Sequence, residues 1–172
     1  VSEQALTLGI NNLDEISPSI TSGAVAAAID ENSGAGQVIY TATADDSGDD
    51  VVATPITYSL TEDSDTGLSI NALTGEVSLT ANPDHETQSE YSFAVVATDA
   101  AGNASEAQSV TLDINDLDDA APTVTSGATA VAIDENSGAG QVIYTATSTD
   151  LGDDVSDTPI AYSLAEGSDA AL

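Results

Sequence analysis

The chain repeats itself. Residues 28–43 read AIDENSGAGQVIYTAT, and residues 132–147 read the same letters, an offset of 132 − 28 = 104. The offset runs without a gap from Gln4/Gln108 to Leu68/Leu172, and 44 of the 68 overlapping positions are identical. A period of this length is that of a domain, not of a short solenoid unit. The period therefore reads as tandem domains. Pro18 to Ala121 is one whole repeat, and Pro122 to Leu172 is the first part of the next. Residues 1–17 read as the end of a preceding repeat with its linker. The whole reads as a stretch of a longer array. Residues 122–172 lack counterparts of 69–121, so the second repeat is not expected to fold alone.

Within the whole repeat the pattern is short strands with turn signals between them. Val38, Tyr40 and Ala42 alternate with polar or outward positions, as do Ile56, Tyr58 and Leu60. The same alternation runs through Tyr91, Phe93, Val95 and Ala97, and through Val110, Leu112 and Ile114. Each has the period of a strand with one buried face. Leu68–Ile70 and Val77–Leu79 flank the turn signal Thr74-Gly75, and Ala24–Ile29 is the expected first strand. About seven strands in one repeat predict an all-β fold, an antiparallel β-sandwich. No segment carries a capped helical period. Ala24–Ala28 is alanine-rich but too short to nucleate a helix. One Phe, five Tyr and no Trp or Met make a core of small side chains. Modest burial predicts marginal stability without an outside stabiliser.

Charge narrows the function. The chain has 30 acidic residues, no Lys or Arg, one His and no Cys, for a formal net charge of −30. Nucleic-acid binding needs cations against phosphate, and a polybasic membrane anchor needs them too. Neither is available. No apolar run approaches the ~20 residues of a membrane span, and Val1 onward shows no signal peptide. Without Cys there is no disulfide framework and no thiolate metal site. Disorder is opposed by a hydrophobic content of 41 %. Something other than a basic side chain must balance the carboxylates.

The acids are clustered. They gather as Asp30-Glu31-Asn32, Asp45-Asp46 with Asp49-Asp50, Asp84-His85-Glu86, Asp99, and the run from Asp113 to Asp119 at the repeat junction. Calcium takes six to eight oxygen ligands from carboxylates, amides and backbone carbonyls. Asp, Glu and Asn without Cys suit that hard cation rather than zinc or copper. On an extended segment Asp84 and Glu86 point the same way and can converge on one ion. A solvated acidic face is the competing reading, and it is strongest for Asp45, Asp49 and Asp50 and their copies. His85 is expected at the surface. A catalytic Ser-His-Asp set would have to use this one histidine, and no GxSxG turn is present. A glycosidase carboxylate pair is possible on counts alone. Carboxylates recurring at a domain period suit a joint better than an active site, so no enzyme is expected.

These motifs together resemble a cadherin-type repeat. The family pattern places a Glu early, then Asp-x-Asp, a Thr-Gly hairpin, Asp-Arg-Glu, Ala-x-Asp-x-Gly and a closing Asp-x-Asn-Asp. Here they stand as Glu31, Asp46, Thr74-Gly75, Asp84-His85-Glu86, Ala97-Thr98-Asp99-Ala100-Ala101-Gly102 and Asp113-Ile114-Asn115-Asp116. The resemblance implies a seven-stranded Greek-key sandwich with calcium bound between successive repeats. Carried over by position, Glu31, Asp84 and Glu86 would meet Asp113, Asn115 and Asp116, with Asp150 joining from the next repeat. Ile114 and Leu117 would offer carbonyls. At the other end Asn11 and Asn12 would face Asp46 and Asp99. The first acid of Asp-x-Asp is replaced by Ala44 and Ser148, so one ion of the usual set is absent or held differently. Gly9 and Asn12 stand where the next linker has Asp113 and Asp116, which implies a weaker incoming site. Asp118 and Asp119 either add ligands or lengthen the spacer.

Near-identical repeats without Lys or Arg are similar to those of large bacterial surface adhesins of the type I secreted, or RTX, kind. The expected role is a spacer in an extracellular, cell-surface adhesin, stiffened by calcium at the joints and partnered by the neighbouring repeats of its own chain. The alternative is a binding module for polysaccharide or for like repeats on another cell. Tyr40, Tyr58 and Tyr91 are the aromatics a sugar site would need, and their alternating positions place them in the core.

Overall fold

The computed structural model describes residues 3–48, 55–151 and 159–168. Asp49, Asp50 and their copies Asp153 and Asp154 lie outside the described residues. The fold is all-β, with no helix among the described residues. The chain divides into two units, Val1–Asn115 and Asp116–Leu172.

The first unit holds β1 (Ser19–Ile20), β2 (Ile29–Asp30), β3 (Val38–Thr41), β4 (Ala44–Asp45), β5 (Thr57–Leu60), β6 (Leu68–Ile70), β7 (Glu76–Leu79), β8 (Glu90–Thr98) and β9 (Gln108–Asn115). Four strands form one sheet in the order β2-β9-β8-β5, and three form another in the order β3-β7-β6. These seven strands make the sandwich, and β1 and β4 add a small antiparallel ribbon. All pairings are antiparallel except β2 with β9, which runs parallel with Ile29 opposite Ile114. The expected strand over Ala24–Ile29 contracts to Ile29–Asp30 and an isolated bridge between Val25 and Thr111.

Alternation sets the core. Tyr91, Phe93, Val95 and Ala97 of β8 are buried, as are Val110, Leu112 and Ile114 of β9. All of these but Ala97 join Val77 and Leu79 of β7 in one hydrophobic cluster. Tyr40 meets Phe93 edge to face, with ring centroids 5.6 Å apart, and its hydroxyl donates to Ser22 Oγ at 2.6 Å. The aromatic ring thus fills the core while its polar end finds an acceptor.

One strand departs from strict alternation. The β3–β7 register shifts between Val38 and Tyr40. Such a bulge adds one residue and re-aims side chains. Val38 is left half-exposed, while Ile39, Tyr40 and Ala42 are all buried. The β6–β7 turn closes on Gly75 at φ 72°. A Cβ there would lie 2.4 Å from the Ala42 carbonyl oxygen, so the turn demands glycine on both counts.

The second unit reproduces the opening of the first. β10 (Thr123–Val124) pairs with β11 (Ser148–Thr149), with Thr123 opposite Thr149, as Ser19 lies opposite Asp45 in β1 and β4. Ser126 and Tyr144 are hydrogen-bonded at 2.6 Å, copying Ser22 and Tyr40. The local geometry survives, but Tyr144, Ile133 and Leu164 are 42 %, 55 % and 66 % exposed.

Candidate metal centres

The loops at the ends of β2, β4, β8 and β9 carry the acids. Strand β8 runs from Glu90 to Thr98, so its nine residues separate two acidic poles of the first unit by about 30 Å.

At the pole where β9 ends, Glu31, Asp84 and Glu86 converge. Each offers one carboxylate oxygen, and these lie within 4.8 Å of one another. Glu31 follows β2 and is 1 % exposed. Its backbone is held by the Asn115 carbonyl at 3.0 Å, and its Oε2 accepts from the His85 amide at 2.9 Å. The two loops are laced together: the Asn32 amide donates to the Pro83 carbonyl at 3.0 Å, and the Gly34 amide donates to Asn82 Oδ1 at 2.7 Å. Asn32 adopts φ 58° to make that turn, a conformation asparagine tolerates better than most residues. Asp84 and Glu86 do not lie on an extended segment as their spacing suggested. Asp84 Oδ1 accepts from the Thr87 amide at 2.9 Å and folds residues 85–87 into a turn. The two acids meet Glu31 across this turn. His85 is half-buried, with Nδ1 3.8 Å from Glu86 Oε1.

Asn115 donates from its side chain to Asp30 Oδ1 at 2.9 Å. Asp113 is exposed on β9, opposite Glu90 of β8. Asp116 opens the second unit and is half-buried. Asp150 follows β11 as its copy Asp46 follows β4.

At the opposite pole Asp14, Asp46 and Asp99 converge, again with one oxygen each within 4.8 Å. The linker residue brought to Asp46 and Asp99 is Asp14, while Asn11 is exposed three residues earlier. Both Asp46 carboxylate oxygens are shielded from solvent, and Asp14 Oδ2 is buried and accepts no hydrogen bond. Asp99 follows β8 and is 5 % exposed. Gly102 and Asn103 amides donate to its Oδ1 at 2.7 and 2.8 Å, and Asn103 Nδ2 donates to its Oδ2 at 2.8 Å. Burial raises the Asp99 carboxyl, but the Asn103 side chain and the backbone amides of Asn103, Gly102 and Ala101 outweigh it and hold the group below its ordinary range. Asn103 Nδ2 also donates to the Asp14 carbonyl at 3.1 Å, which pins the linker against Asp99. Neither Asp14 nor Asn103 was expected from the sequence. The repeat held a sign of the first, since Asp14 is the copy of Asp118.

Both clusters fit a hard cation. They are all-oxygen and anionic, and one contains a nearly fully buried glutamate and the other a buried carboxylate oxygen without a donor. Burying charge is costly unless it is compensated, and the chain has no Lys or Arg to do so.

The comparisons with known proteins agree with this architecture. The cadherin domain model matches residues 25–115, 91 of 172 positions, and the chain belongs to that family. Cadherin domains are extracellular, non-enzymatic adhesion modules. Human protocadherin-24 EC1-2 is 21 % identical, with a TM-score of 0.62 over 80 % of this chain and 61 % of its own. Mouse cadherin-23 EC22-24 is 25 % identical, with a TM-score of 0.55 over 80 % of this chain and 44 % of its own. Protocadherin gamma B7 EC1-4 is 22 % identical, with a TM-score of 0.59 over 80 % of this chain and 34 % of its own. The chain thus spans less than two thirds of each of these structures. No curated protein matches it. No helix among the described residues is long and apolar enough to cross a membrane.

Proposed function

We propose that the chain is a spacer segment of an extracellular calcium-dependent adhesin, stiffened by Ca2+ where one repeat meets the next. One observation carries this reading: three carboxylates converge at each pole of the first unit, where the chain enters and leaves it, in a protein without Lys or Arg. Glu31, Asp84 and Glu86 would hold an ion at the outgoing pole, with Asp113, Asn115 and Asp116 as the adjoining donors. Asp14, Asp46 and Asp99 would hold one at the incoming pole, with Asn11 nearby in the linker. Asp150 takes the part of Asp46 in the second unit. Bound calcium supplies the positive charge that lets these carboxylates stay together. The chain's own part is to hold the oxygens in place: the laced loops at one pole and the Asn103 bridge at the other do so before any ion arrives. Without that charge the acids repel, and the linkers are released.

Extracellular calcium modules bind at roughly 10⁻⁴–10⁻³ M. A site at 100 times its dissociation constant adds about 2.7 kcal/mol, a large share of the stability of a domain with so small a core. Near-identical repeats and the missing Lys and Arg support a large bacterial surface adhesin as the parent protein. The test is thermal unfolding and small-angle scattering of the chain in EDTA and in millimolar calcium. Calcium is expected to raise Tm by several degrees and narrow the range of conformations. An unchanged Tm together with an unchanged scattering profile would refute the joint. Glu86→Gln is expected to weaken calcium binding severalfold while leaving the calcium-free Tm within about 2 °C of the parent. Micromolar retention of a polysaccharide would favour a binding module instead.

A further inference from the structure

One acid of the family pattern is missing from both repeats, and one acid of the linker is present in both. Where the pattern has Asp-x-Asp, the chain has Ala44-Asp45-Asp46 and Ser148-Thr149-Asp150. Only the second acid is kept. The two linkers differ at Gly9/Asp113, Asn12/Asp116, Glu15/Asp119 and Ile16/Ala120, yet Asp14 and its copy Asp118 are the same. Asp14 and Asp46, the acid kept in each place, are the two that converge with Asp99.

The fold explains how a linker acid reaches that place. Ala44 and Asp46 are half-buried on either side of the exposed Asp45 at the end of β4. Residues two apart on a strand share a face, so a carboxylate at position 44 would point to the side of Asp46. Ala44 puts only a methyl there. Strand β1 pairs with β4 through Ser19 and Asp45, which lays the preceding linker along the loop that follows β4. Ile16 lies over Gly48, where a Cβ would meet Ile16 Cγ2 at 3.1 Å. Hydrogen bonds fix Asp14 itself. The Asn103 side chain donates to its carbonyl at 3.1 Å, and the Ile16 amide donates to its Oδ1 at 3.3 Å. Its Oδ2 is buried and takes no hydrogen bond from any described residue, a costly state for an anion without a counter-charge.

We propose, given the calcium joint on which this rests, that Asp14 supplies from the linker the carboxylate that Ala44 omits from the domain. The incoming pole then takes calcium with one linker acid and two domain acids, Asp46 and Asp99. Asp118 and Asp150 repeat the exchange where Ser148 replaces the same acid. The number and charge of the ligands set calcium affinity. With its own acid at the site, the linker cannot leave without removing a ligand, so calcium affinity and linker docking are coupled. A pole built from domain acids alone would hold its ion whether or not the linker stayed docked.

The test is a calcium titration of the 172-residue chain at constant ionic strength, followed by amide NMR. The Gly102 and Asn103 amides report on Asp99 at the incoming pole. The His85 and Thr87 amides report on Glu31 and Asp84 at the outgoing one. Asp14→Asn keeps an Oδ1 for the Ile16 amide. It is expected to raise half-saturation at the incoming pole about tenfold and leave the outgoing pole within about twofold. Glu15→Gln removes the same charge from an exposed neighbour and is expected to move either pole by no more than about twofold. Adding Ala44→Asp to Asp14→Asn is expected to bring the incoming half-saturation back to within about threefold of the parent. In the parent, calcium is expected to raise the heteronuclear NOE of Ile16; in the double variant it is not, since the linker then carries no ligand. An incoming pole that ignores Asp14→Asn, or answers Glu15→Gln equally, overturns the proposal. So does a folded double variant that binds calcium no better than Asp14→Asn alone, or one in which calcium orders Ile16 as in the parent. A parent in which neither pair of amides responds to calcium overturns the joint itself, whereas one in which only the outgoing pair responds overturns this proposal and leaves the joint standing.

Discussion

Gly75 carries the tightest backbone demand in the first unit. It combines φ 72° with an approach to the Ala42 carbonyl that leaves no room for a Cβ. Gly75→Ala is expected to cost about 2 kcal/mol or more, since a left-handed residue with a Cβ already costs 1–2 kcal/mol before any clash. Urea unfolding would check it, and an unchanged midpoint would place the turn elsewhere. Asp99 makes a pH prediction at the same scale. Its carboxyl is held below the ordinary aspartate value of about 3.9 by donors that favour the ionised form. A depressed folded value means the contribution is complete above the unfolded value and is lost as pH falls through the folded one. In calcium-free protein a carboxyl-carbon NMR titration should find the Asp99 midpoint below that of the exposed aspartates. A midpoint above them would mean that Asp14 and Asp46 outweigh the Asn103 bridge.

At the scale of elements, β3 makes the register shift between Val38 and Tyr40 testable. Ile39 is buried and Val38 is half-exposed. Ile39→Thr is expected to cost about 2 kcal/mol, because it removes apolar contact and buries a hydroxyl. Val38→Thr should stay within about 0.5 kcal/mol of the parent. Reversal of that order would mean that β3 runs without the register shift. Strand β9 is an inner strand of its sheet, paired with β2 on one side and β8 on the other. Leu112 within it is fully buried, and Leu112→Ala is expected to cost about 2–5 kcal/mol. The same strand ends at Asn115, whose backbone holds Glu31. The calcium affinity of the outgoing pole should therefore fall with the stability of β9, which a titration of Leu112→Ala would show.

For the whole molecule, charge of one sign dominates. Thirty acids without a basic partner repel one another in the folded chain more than in an expanded one. In EDTA, added sodium chloride is expected to raise Tm, most steeply below about 0.15 M, where the Debye length falls through about 8 Å. A Tm independent of salt would mean that the acids are too far apart to matter. In calcium the slope should flatten if the two poles hold the strongest repulsions. Trypsin-like proteases find no Lys or Arg to cut.

The repeat, the all-β class and the seven strands of the sandwich were legible in the sequence, because period-2 alternation and turn residues are local properties. The resemblance to cadherin repeats was legible too, since its motifs keep their order along the chain. The gathering of Glu31 with Asp84 and Glu86 was readable only through that resemblance. The bulge in β3 was not readable, because the partner strand decides which residue is extra. Nor was the parallel pairing of β2, which depends on where β9 ends. Asp14 and Asn103 were missed for the same reason: 89 residues separate them, and nothing local joins an amide in one loop to a carbonyl in the linker. Sequence alone determined how much charge the chain carries and that no Lys or Arg can balance it. Tertiary structure alone decided which acids meet, because convergence of carboxylates is set by loop closure over long separations and not by spacing along the chain.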